Sequence, residues 1–247
     1  MFNFFKKKDK EPTSWMLPFS TDMHSHILPG IDDGSPDVAT SVKLIQALSE
    51  LGIRKSVATP HVIGDLYRNT PQTIYDALEK TKEACAAAGL NIELSAAAEY
   101  MLDDYFLELL QKPEPLLTIH KNILLTETSY ASAPPNLSEI AAAIIAKGYA
   151  PILAHPERYH YYHHDFDIYY RLKEMGFILQ VNVLSIVGYY GKKAEKAARF
   201  ILEKNLVTLA GTDLHHSNHL RVLSDPENIR IFQKLLGNRE YNNLDLL

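Results

Sequence analysis

The chain has 247 residues, 46% of them hydrophobic, and its 25 Lys and Arg against 30 Asp and Glu give a net charge of −5. This length suits one large α/β domain or two small ones, with enough apolar residues for a sizeable core. The acidic balance does not favour a polyanionic partner, so nucleic-acid binding is not expected. The single cysteine, Cys85, excludes an internal disulfide and a multi-cysteine zinc site, and we expect it to be a small buried side chain on a helix.

The first residues, MFNFFKKKDKEP, do not have the form of an export signal, because their short apolar stretch precedes the lysines. No later stretch approaches the roughly 18 consecutive apolar residues that a membrane-spanning helix needs. We therefore expect a cytoplasmic protein with no membrane span. Residues 1–19 are expected to form a basic N-terminal tail and residues 20–247 one domain. The two ends of the chain could mediate assembly into an oligomer, although nothing in the sequence requires it.

Short apolar or β-branched runs alternate with helical patterns along the chain. The predicted strands are 20–23, 56–59, 92–97, 123–126, 151–154, 178–182 and 208–211. For the first helix we expect Ser35 as N-cap, Pro36 at the first helical position and Gly52 at the end. The other helical patterns are Thr70-Pro71 to Gly89, Asn136 to Gly148 with a capping-box-like Glu139, 192–204 and 226–236.

This alternation predicts an α/β fold with a parallel sheet, because parallel neighbours need a crossover connection. Seven strand–helix units in one chain suit a closed or nearly closed barrel better than an open sheet. The third crossover contains a helical piece and then a proline-broken loop, which a distorted barrel would tolerate. No shift in composition marks a second domain.

Metal-competent side chains follow six of the seven predicted strands, and all strand C-termini of a parallel barrel open on one face. Each residue alone could be a polar group of the surface or core edge, but that explanation would have to hold independently at six strand ends. Asp33, in the turn GIDDG, is free to fold over the same face, whereas we expect Asp32 to be a turn residue. Histidine and carboxylate without thiolate suit Zn²⁺, Fe or Mn²⁺. The strand-end residues are His24, His26, His61, Glu99, Glu127, His155, Asp213 and His215.

The motifs DMHSHILPGIDDG, ATPH, AAEY, LLTET, LAHPERY and GTDLH follow one another between residues 20 and 223. In this they resemble the PHP (polymerase and histidinol phosphatase) metallohydrolases, and most closely the CpsB/CapC-type bacterial tyrosine phosphatases. The resemblance implies a distorted (β/α)₇ barrel (PHP fold) that holds three divalent metal ions per chain. By motif, one ion would be held by His24, His26, Glu99 and Asp213, a second by Glu99, Glu127 and His155, and a third by Asp33, His61 and His215.

Two arginines are implied as catalytic residues. Arg158, in HPER, corresponds to a phosphate-contacting arginine of the family. Arg221 is the nearest candidate for a second one, although the run DLHHSNHLR departs from the family's usual spacing. His216 and His219, in the same run, have no assigned role.

The resemblance implies a metal-dependent protein-tyrosine phosphatase that hydrolyses phosphotyrosine monoesters by a metal-activated hydroxide. Its partner would be a phosphotyrosine-containing protein, such as a bacterial tyrosine kinase that regulates capsule or exopolysaccharide synthesis. The alternatives are a small-molecule phosphatase of the histidinol-phosphatase type, a PHP nuclease and a catalytically silent metal-binding scaffold. The run ERYHYYHHDF, residues 157–166, could stack on a phosphotyrosine ring or pack as a loop on the rim of the barrel.

The two adjacent acids of GIDDG have different predicted roles. On the sequence alone, Asp33→Ala is expected to cost metal and activity, and Asp32→Ala to cost much less.

Overall fold

The computed structural model describes residues 15–237 and Tyr241. Its strands are β1 Thr21–Ser25, β2 Lys55–Ala58, β3 His61–Val62, β4 Glu93–Ala96, β5 Glu99–Met101, β6 Ile123–Glu127, β7 Ala150–Ala154, β8 Ile178–Asn182 and β9 Val207–Gly211. Its α-helices are α1 Val38–Glu50, α2 Pro71–Ala87, α3 Asp104–Gln111, α4 Leu137–Ala146, α5 Ile168–Glu174, α6 Val183–Ile186, α7 Lys192–Glu203, α8 Ser217–Leu223 and α9 Pro226–Leu236. All seven predicted strands are present within two residues of their expected ends, and β3 and β5 are short additions.

The paired strands of the described chain are parallel and lie in two sheets. One sheet has the order β1-β2-β4, and the other has the order β3-β5-β6-β7-β8-β9. The predicted parallel α/β fold in one domain is confirmed. A closed seven-stranded barrel is not confirmed, because the pairing passes from β2 and β4 to β3 and β5 through a break. Pro60, which has no backbone N–H to donate, lies between β2 and β3 at that break.

The two sheets also meet beyond the ends of β1 and β9. The backbone N–H of Asp213 donates to the carbonyl of His24 (2.8 Å), and that of His26 donates to the carbonyl of Leu214 (2.9 Å). Ser25 and Leu214 form an isolated parallel bridge. The chain segments that follow β1 and β9 are therefore held side by side, and both carry predicted ligands.

Helix starts differ from the predicted ones in two cases. Asp37, not Ser35, is the N-cap of α1, since its carboxylate accepts from the backbone N–H of Thr40 at 2.7 Å. Ser35 is buried two residues earlier, where its hydroxyl donates to the carbonyl of Asp37 (3.0 Å). At α4, Asn136 is the N-cap but makes no side-chain capping bond, so the capping-box-like start does not form. The start of α2 is as predicted, with Thr70 in a capping box.

The core is built from apolar residues of the strands and of the inward faces of the helices. Leu17 and Phe19, in the last part of the predicted tail, are buried in it, and Leu17 N–H donates to the carbonyl of Leu51 (2.8 Å). Residues 1–14 lie outside the described part of the chain. Cys85 is buried on α2, as expected. Among the described helices, none is both long and apolar enough to cross a membrane.

We predict that Gly211→Ala destabilises the fold, because the added methyl carbon would lie 2.7 Å from Cβ of His24 and 2.8 Å from Nε2 of Gln180. The expected loss is about 1–3 kcal/mol in the free energy of unfolding, measured by urea denaturation. Thr208→Ala is the matched control, because Thr208 is an exposed residue of the same strand. Equal stability of the two variants would show that β1 and β9 do not need this close approach.

Candidate metal centre

The nine predicted ligand residues lie together at one end of the parallel strands. They form four overlapping groups, and in each group one ligand atom per residue lies within 4.8 Å of the others. The groups are His26, Asp33, His61 and His215; His24, His26 and Asp213; His24, Glu99 and His155; and His61, Glu99 and Glu127. The structure thus brings together side chains that are up to 191 positions apart in the sequence, those of His24 and His215.

Glu99 is at the centre of this cluster. It is the first residue of β5 and is fully buried. One carboxylate oxygen, Oε1, lies 3.1 Å from Nε2 of His155. The other, Oε2, lies 3.3 Å from Nε2 of His24, 3.4 Å from Nε2 of His26 and 3.1 Å from Nδ1 of His61. Glu99 therefore has the contacts expected of a carboxylate that bridges metal ions.

Three atoms of the cluster are buried without a hydrogen bond of normal geometry: Nδ1 of His61, Oε2 of Glu99 and Oε1 of Glu127. Nδ1 of His61 is nevertheless only 3.1 Å from the Glu99 oxygen and 2.9 Å from the Glu127 oxygen. Buried polar atoms are normally paired, and unpaired buried charge is costly. Imidazole nitrogen and carboxylate oxygen are metal ligands, so a divalent ion fits this donor set. Glu127 groups here with His61 and Glu99, whereas the motif comparison placed it with Glu99 and His155.

Hydrogen bonds outside the cluster orient the imidazoles of the first strand. His24 donates through Nδ1 to Oε1 of Gln180 (3.0 Å), and His26 donates through Nδ1 to Oδ2 of Asp32 (2.8 Å). In both rings this directs Nε2 at the cluster, where the two Nε2 atoms lie 3.3 Å apart. Such a bond from the other ring nitrogen is common in metal-ligating histidines. Asp32 also accepts from the backbone N–H of Gly34 (3.0 Å). It is therefore a turn residue, as expected, and in addition it positions a predicted ligand.

Two predicted ligands, His155 and Asp213, have left-handed backbone angles, with φ of 36° and 51°. Non-glycine residues in this region carry strain that the surrounding structure must hold. For Asp213 the holding contacts are visible: Oδ2 accepts from Nη1 of Arg158 (2.5 Å) and from Nδ2 of Asn182 (2.8 Å). The other oxygen, Oδ1, remains directed at His24 and His26.

The two predicted catalytic arginines have different surroundings. The guanidinium of Arg158 pairs with Asp213 and lies 4.0 Å from the ring centre of Tyr190 and 5.0 Å from that of Tyr130. Arg221 is an exposed residue of α8. Within the described chain, no hydrogen bond or ion pair joins its side chain to a predicted ligand. The structure therefore brings Arg158 to the cluster and leaves Arg221 outside it.

The remaining histidines of the DLHHSNHLR run support the ligand loop. His219 is buried, and its Nδ1 lies 3.1 Å from the carbonyl of Asp213. His216 is the N-cap of α8, where its ring accepts from the backbone N–H of His219 (3.4 Å). Spacing alone could not have separated these positioning residues from the predicted ligand His215, because all three are histidines within five positions.

The pKa values of the cluster show how closely its charges are packed. Burial and the neighbouring Arg158 lower the pKa of His155 to about 4. Burial also opposes protonation of His24 and His61, but the neighbouring carboxylates outweigh it and raise the pKa of both imidazoles. Burial raises the pKa of Glu127, and the adjacent carboxylate of Glu99 raises it further. For Asp213, burial alone would raise the pKa, but the opposing effect of His24, His215 and Arg158 lowers it. Carboxylates as close as those of Glu99 and Glu127 repel each other, and bound cations would reduce that repulsion.

The aromatic run at 157–166 packs as a loop beside the centre. Tyr159 is fully buried, and its hydroxyl donates to the carbonyl of Ala154 (3.1 Å) and accepts from the N–H of Thr128 (3.0 Å). Tyr161 stacks on Tyr159 with ring centres 5.5 Å apart. Of the two alternatives for this run, the packed loop is the one that these contacts support. Glu157, also in the run, accepts from Ser185 (2.7 Å) and the N–H of Asn182 (3.0 Å) and fixes Arg158's turn to the end of β8.

Residues 20–244 match the family profile for capsular polysaccharide synthesis, CpsB/CapC. The chain belongs to the CpsB/CapC family. One relative is the tyrosine-protein phosphatase YwqE of Bacillus subtilis, which is 28% identical over 79% of this chain and 77% of its own length. The tyrosine-protein phosphatase CpsB of Streptococcus pneumoniae is 29% identical over 79% of this chain and 82% of its own.

Two solved structures are similar to this chain in fold. A crystal structure from work on YwqE of B. subtilis and CpsB of S. pneumoniae, described as unique metal-dependent tyrosine phosphatases, matches with a TM-score of 0.79 and 27% identity. The match covers 88% of this chain and 87% of that one. A lactonase from Listeria monocytogenes matches with a TM-score of 0.51 and 13% identity, over 91% and 94% of the two chains, and shares the fold alone.

We predict that Asp32→Ala lowers metal affinity by about 10- to 100-fold, because His26 loses the carboxylate that orients its ring. Asp33→Ala is expected to lower it at least as much, since Asp33 Oδ1 lies 3.4 Å from Nε2 of His61 and 3.5 Å from Nε2 of His215. The measurement is a Mn²⁺ titration by calorimetry. The control is Asp65→Ala, an exposed acid of the loop after β3. A wild-type metal affinity in Asp32→Ala would contradict this prediction and would agree with the smaller effect expected from the sequence.

Proposed function

We propose that this protein is a metal-dependent protein-tyrosine phosphatase that hydrolyses phosphotyrosine monoesters at a centre of three divalent ions. The observation that carries the proposal is the buried set of imidazole and carboxylate atoms around Glu99, three of which have no hydrogen bond. Family membership supports the choice of reaction, because relatives at 28% and 29% identity are named tyrosine-protein phosphatases. The ions would be Mn²⁺, Fe or Zn²⁺, the metals that histidine and carboxylate ligands suit.

Nine residues would hold the ions, with Glu99 shared between them. Bound divalent ions would supply a water of lowered pKa, about 7 in favourable cases, and would neutralise the phosphoryl oxygens. The proposed ligands are His24, His26, Asp33, His61, Glu99, Glu127, His155, Asp213 and His215. The division of these residues among the ions follows either the motif comparison or the four groups of the structure, and the two differ in the places of His24, His26, His61 and Glu127.

Arg158 is the proposed clamp for the phosphoryl group. Asp213 takes one of its N–H groups at 2.5 Å, and a guanidinium has five. The remaining donors can make charge-assisted, bidentate bonds to phosphoryl oxygens. The two aromatic rings and the carboxylate around it keep the guanidinium at the edge of the centre. A tyrosine leaving group has a pKa of about 10, so it needs less protonation than an alkoxide would.

The biological setting follows from the family. We infer that the substrate is a phosphotyrosine-containing protein, and that a bacterial tyrosine kinase controlling capsule or exopolysaccharide synthesis is the best candidate. A cytoplasmic location, a domain spanning residues 20–247 and assembly into an oligomer remain predictions from the sequence. A distorted barrel is proposed for the whole sheet arrangement, supported by the hydrogen bonds that join the segments after β1 and β9.

Substrate choice tests the proposed reaction. The Mn²⁺-loaded protein is expected to hydrolyse a phosphotyrosine peptide faster than histidinol phosphate or single-stranded DNA, and a chelator is expected to stop it. Release of inorganic phosphate measures the first two reactions, and gel mobility of the strand measures the third. A preference for histidinol phosphate would favour the small-molecule alternative. If the protein hydrolyses none of the three substrates, with or without chelator, only the catalytically silent metal-binding scaffold would remain.

A comparison of the two arginines tests the phosphate clamp. Arg158→Ala is expected to lower kcat/KM for the phosphotyrosine peptide by about a hundredfold or more, because a preorganised donor to the developing negative charge is lost. Arg221→Ala is expected to leave kcat/KM within about twofold of wild type, since its side chain is exposed and apart from the cluster. Similar losses in both variants would show that the missing second arginine of the family pattern is Arg221 after all.

A further inference from the structure

Three half-exposed or exposed tyrosines surround the metal centre, and none of them belongs to the predicted ligand set. Tyr67, Tyr130 and Tyr190 lie in three separate connections, after β3, after β6 and between α6 and α7. Each ring contacts a different residue of the centre. We call these three residues the tyrosine rim.

Tyr67 covers one side of the centre. Its backbone forms two hydrogen bonds with Ile63, of 2.9 and 3.0 Å, which close a short loop directly after β3. Its ring is nearly parallel to that of His61, at an angle of 14° with ring centres 6.0 Å apart. The ring is half-buried, and the preceding Leu66 is 71% exposed. The loop therefore holds an apolar surface beside a proposed ligand.

Tyr130 and Tyr190 lie on another side, around the proposed phosphate clamp. The Tyr130 ring stacks on that of His155 at 19°, with centres 6.0 Å apart, and the residue keeps 37% of its surface exposed. The Arg158 guanidinium lies within 5.0 Å of both ring centres. The Tyr190 hydroxyl accepts from Nδ2 of Asn182 (3.3 Å), the same amide group that donates to Asp213. This bond holds the Tyr190 ring in place beside Arg158.

The position of these rings matches the shape of an aryl phosphate. In such an ester a single oxygen joins the ring to phosphorus, so a phosphoryl group on Arg158 brings the attached ring close to Tyr130. His61 and His155 contact the two oxygens of Glu99, so the rings stacked on them, Tyr67 and Tyr130, flank the same carboxylate. Aromatic rings in contact gain stabilisation beyond the apolar area that they bury. An alkyl phosphate such as phosphoserine offers no such flat apolar face.

We propose that the tyrosine rim makes this site selective for aryl over alkyl phosphate esters, by packing against the ring of the substrate. The inference rests on the proposed phosphatase function and adds the residues that recognise the leaving group. Tyr67 and Tyr130 supply the ring contacts, and Tyr190 holds Arg158 between itself and Tyr130.

The test compares the binding of phenylphosphonate and methylphosphonate to the Mn²⁺-loaded protein by calorimetry. Neither compound has an ester bond to hydrolyse, so the ratio of their affinities reports ring recognition without turnover. Tyr67→Leu and Tyr130→Leu are expected to lower the preference for phenylphosphonate by about three- to tenfold, the range for aromatic pairs. Tyr67→Phe and Tyr130→Phe are expected to keep it, because they retain the ring.

The matched control is Tyr170→Leu, since Tyr170 is similarly exposed, at 38%, but its ring contacts Phe200 of α7 and no predicted ligand. Methylphosphonate affinity shows whether Arg158 and the metal centre are intact in each variant. Tyr67 does not contact Arg158, so its variant decides the case even if Tyr130→Leu disturbs the clamp. An unchanged affinity ratio in Tyr67→Leu, with methylphosphonate still bound, overturns the proposal. A wild-type protein that prefers phenylphosphonate but does not hydrolyse the phosphotyrosine peptide would reject the phosphatase function while supporting the rim.

Discussion

The rest of this structure depends on the burial of Glu99 among four histidines. A carboxylate removed from water loses several kcal/mol of solvation, which only good partners can offset. One oxygen of Glu99 has His24, His26 and His61 within 3.4 Å and yet has no hydrogen bond. A buried carboxylate oxygen without a hydrogen bond does not stabilise the fold by itself. Divalent cations satisfy all of these atoms at once, which is why we regard the cluster as a metal centre.

The fold is arranged to hold that cluster. The break between β2 and β3 and the break between β4 and β5 leave His61 and Glu99 paired in register at the start of the second sheet. Asp22 ties β1 to the segment before Asp213: its carboxylate accepts from the N–H of Thr212 (3.0 Å) and from the Thr212 hydroxyl (2.6 Å). Burial raises the pKa of Asp22 to about 6, and the hydrogen bonds to Thr212 oppose that rise. Strained backbone at His155 and Asp213 is stabilised by such contacts rather than by local sequence.

The strands and most of the candidate ligands could be predicted from the sequence, because strands and helices follow from the spacing of apolar residues. Parallel strands have their C-termini at the same face, so residues after six strands, such as His61 and His155, had to meet. The rule does not extend to turns. Asp32 and Asp33 are chemically identical neighbours, and only the turn geometry directs Asp32 to Nδ1 of His26. Ser35 and Asp37 are likewise both good N-caps, and tertiary contacts of the Ser35 hydroxyl decide between them.

The tyrosine rim could not be predicted from the sequence for a related reason. Tyr67, Tyr130 and Tyr190 are isolated residues in separate loops, with no spacing that marks them, whereas the conspicuous aromatic run at 157–166 is largely packing. Which aromatic residue faces the centre depends on the path of each loop, as where the pairing of Ile63 with Tyr67 closes the loop after β3. Arg221 shows the converse: a residue of suitable chemistry close in sequence to Asp213 that α8 carries to an exposed position.

The most direct test is an anomalous difference map from crystals of the protein grown with Mn²⁺, collected at the manganese absorption edge. The account predicts three peaks within the cluster, at least one of them in contact with Glu99. Contact with Glu127 or with His155 would also settle how the ligands are divided. A map without a peak at Glu99, with its carboxylate hydrogen-bonded to the surrounding histidines instead, would contradict the central claim that the cluster exists to bind metal.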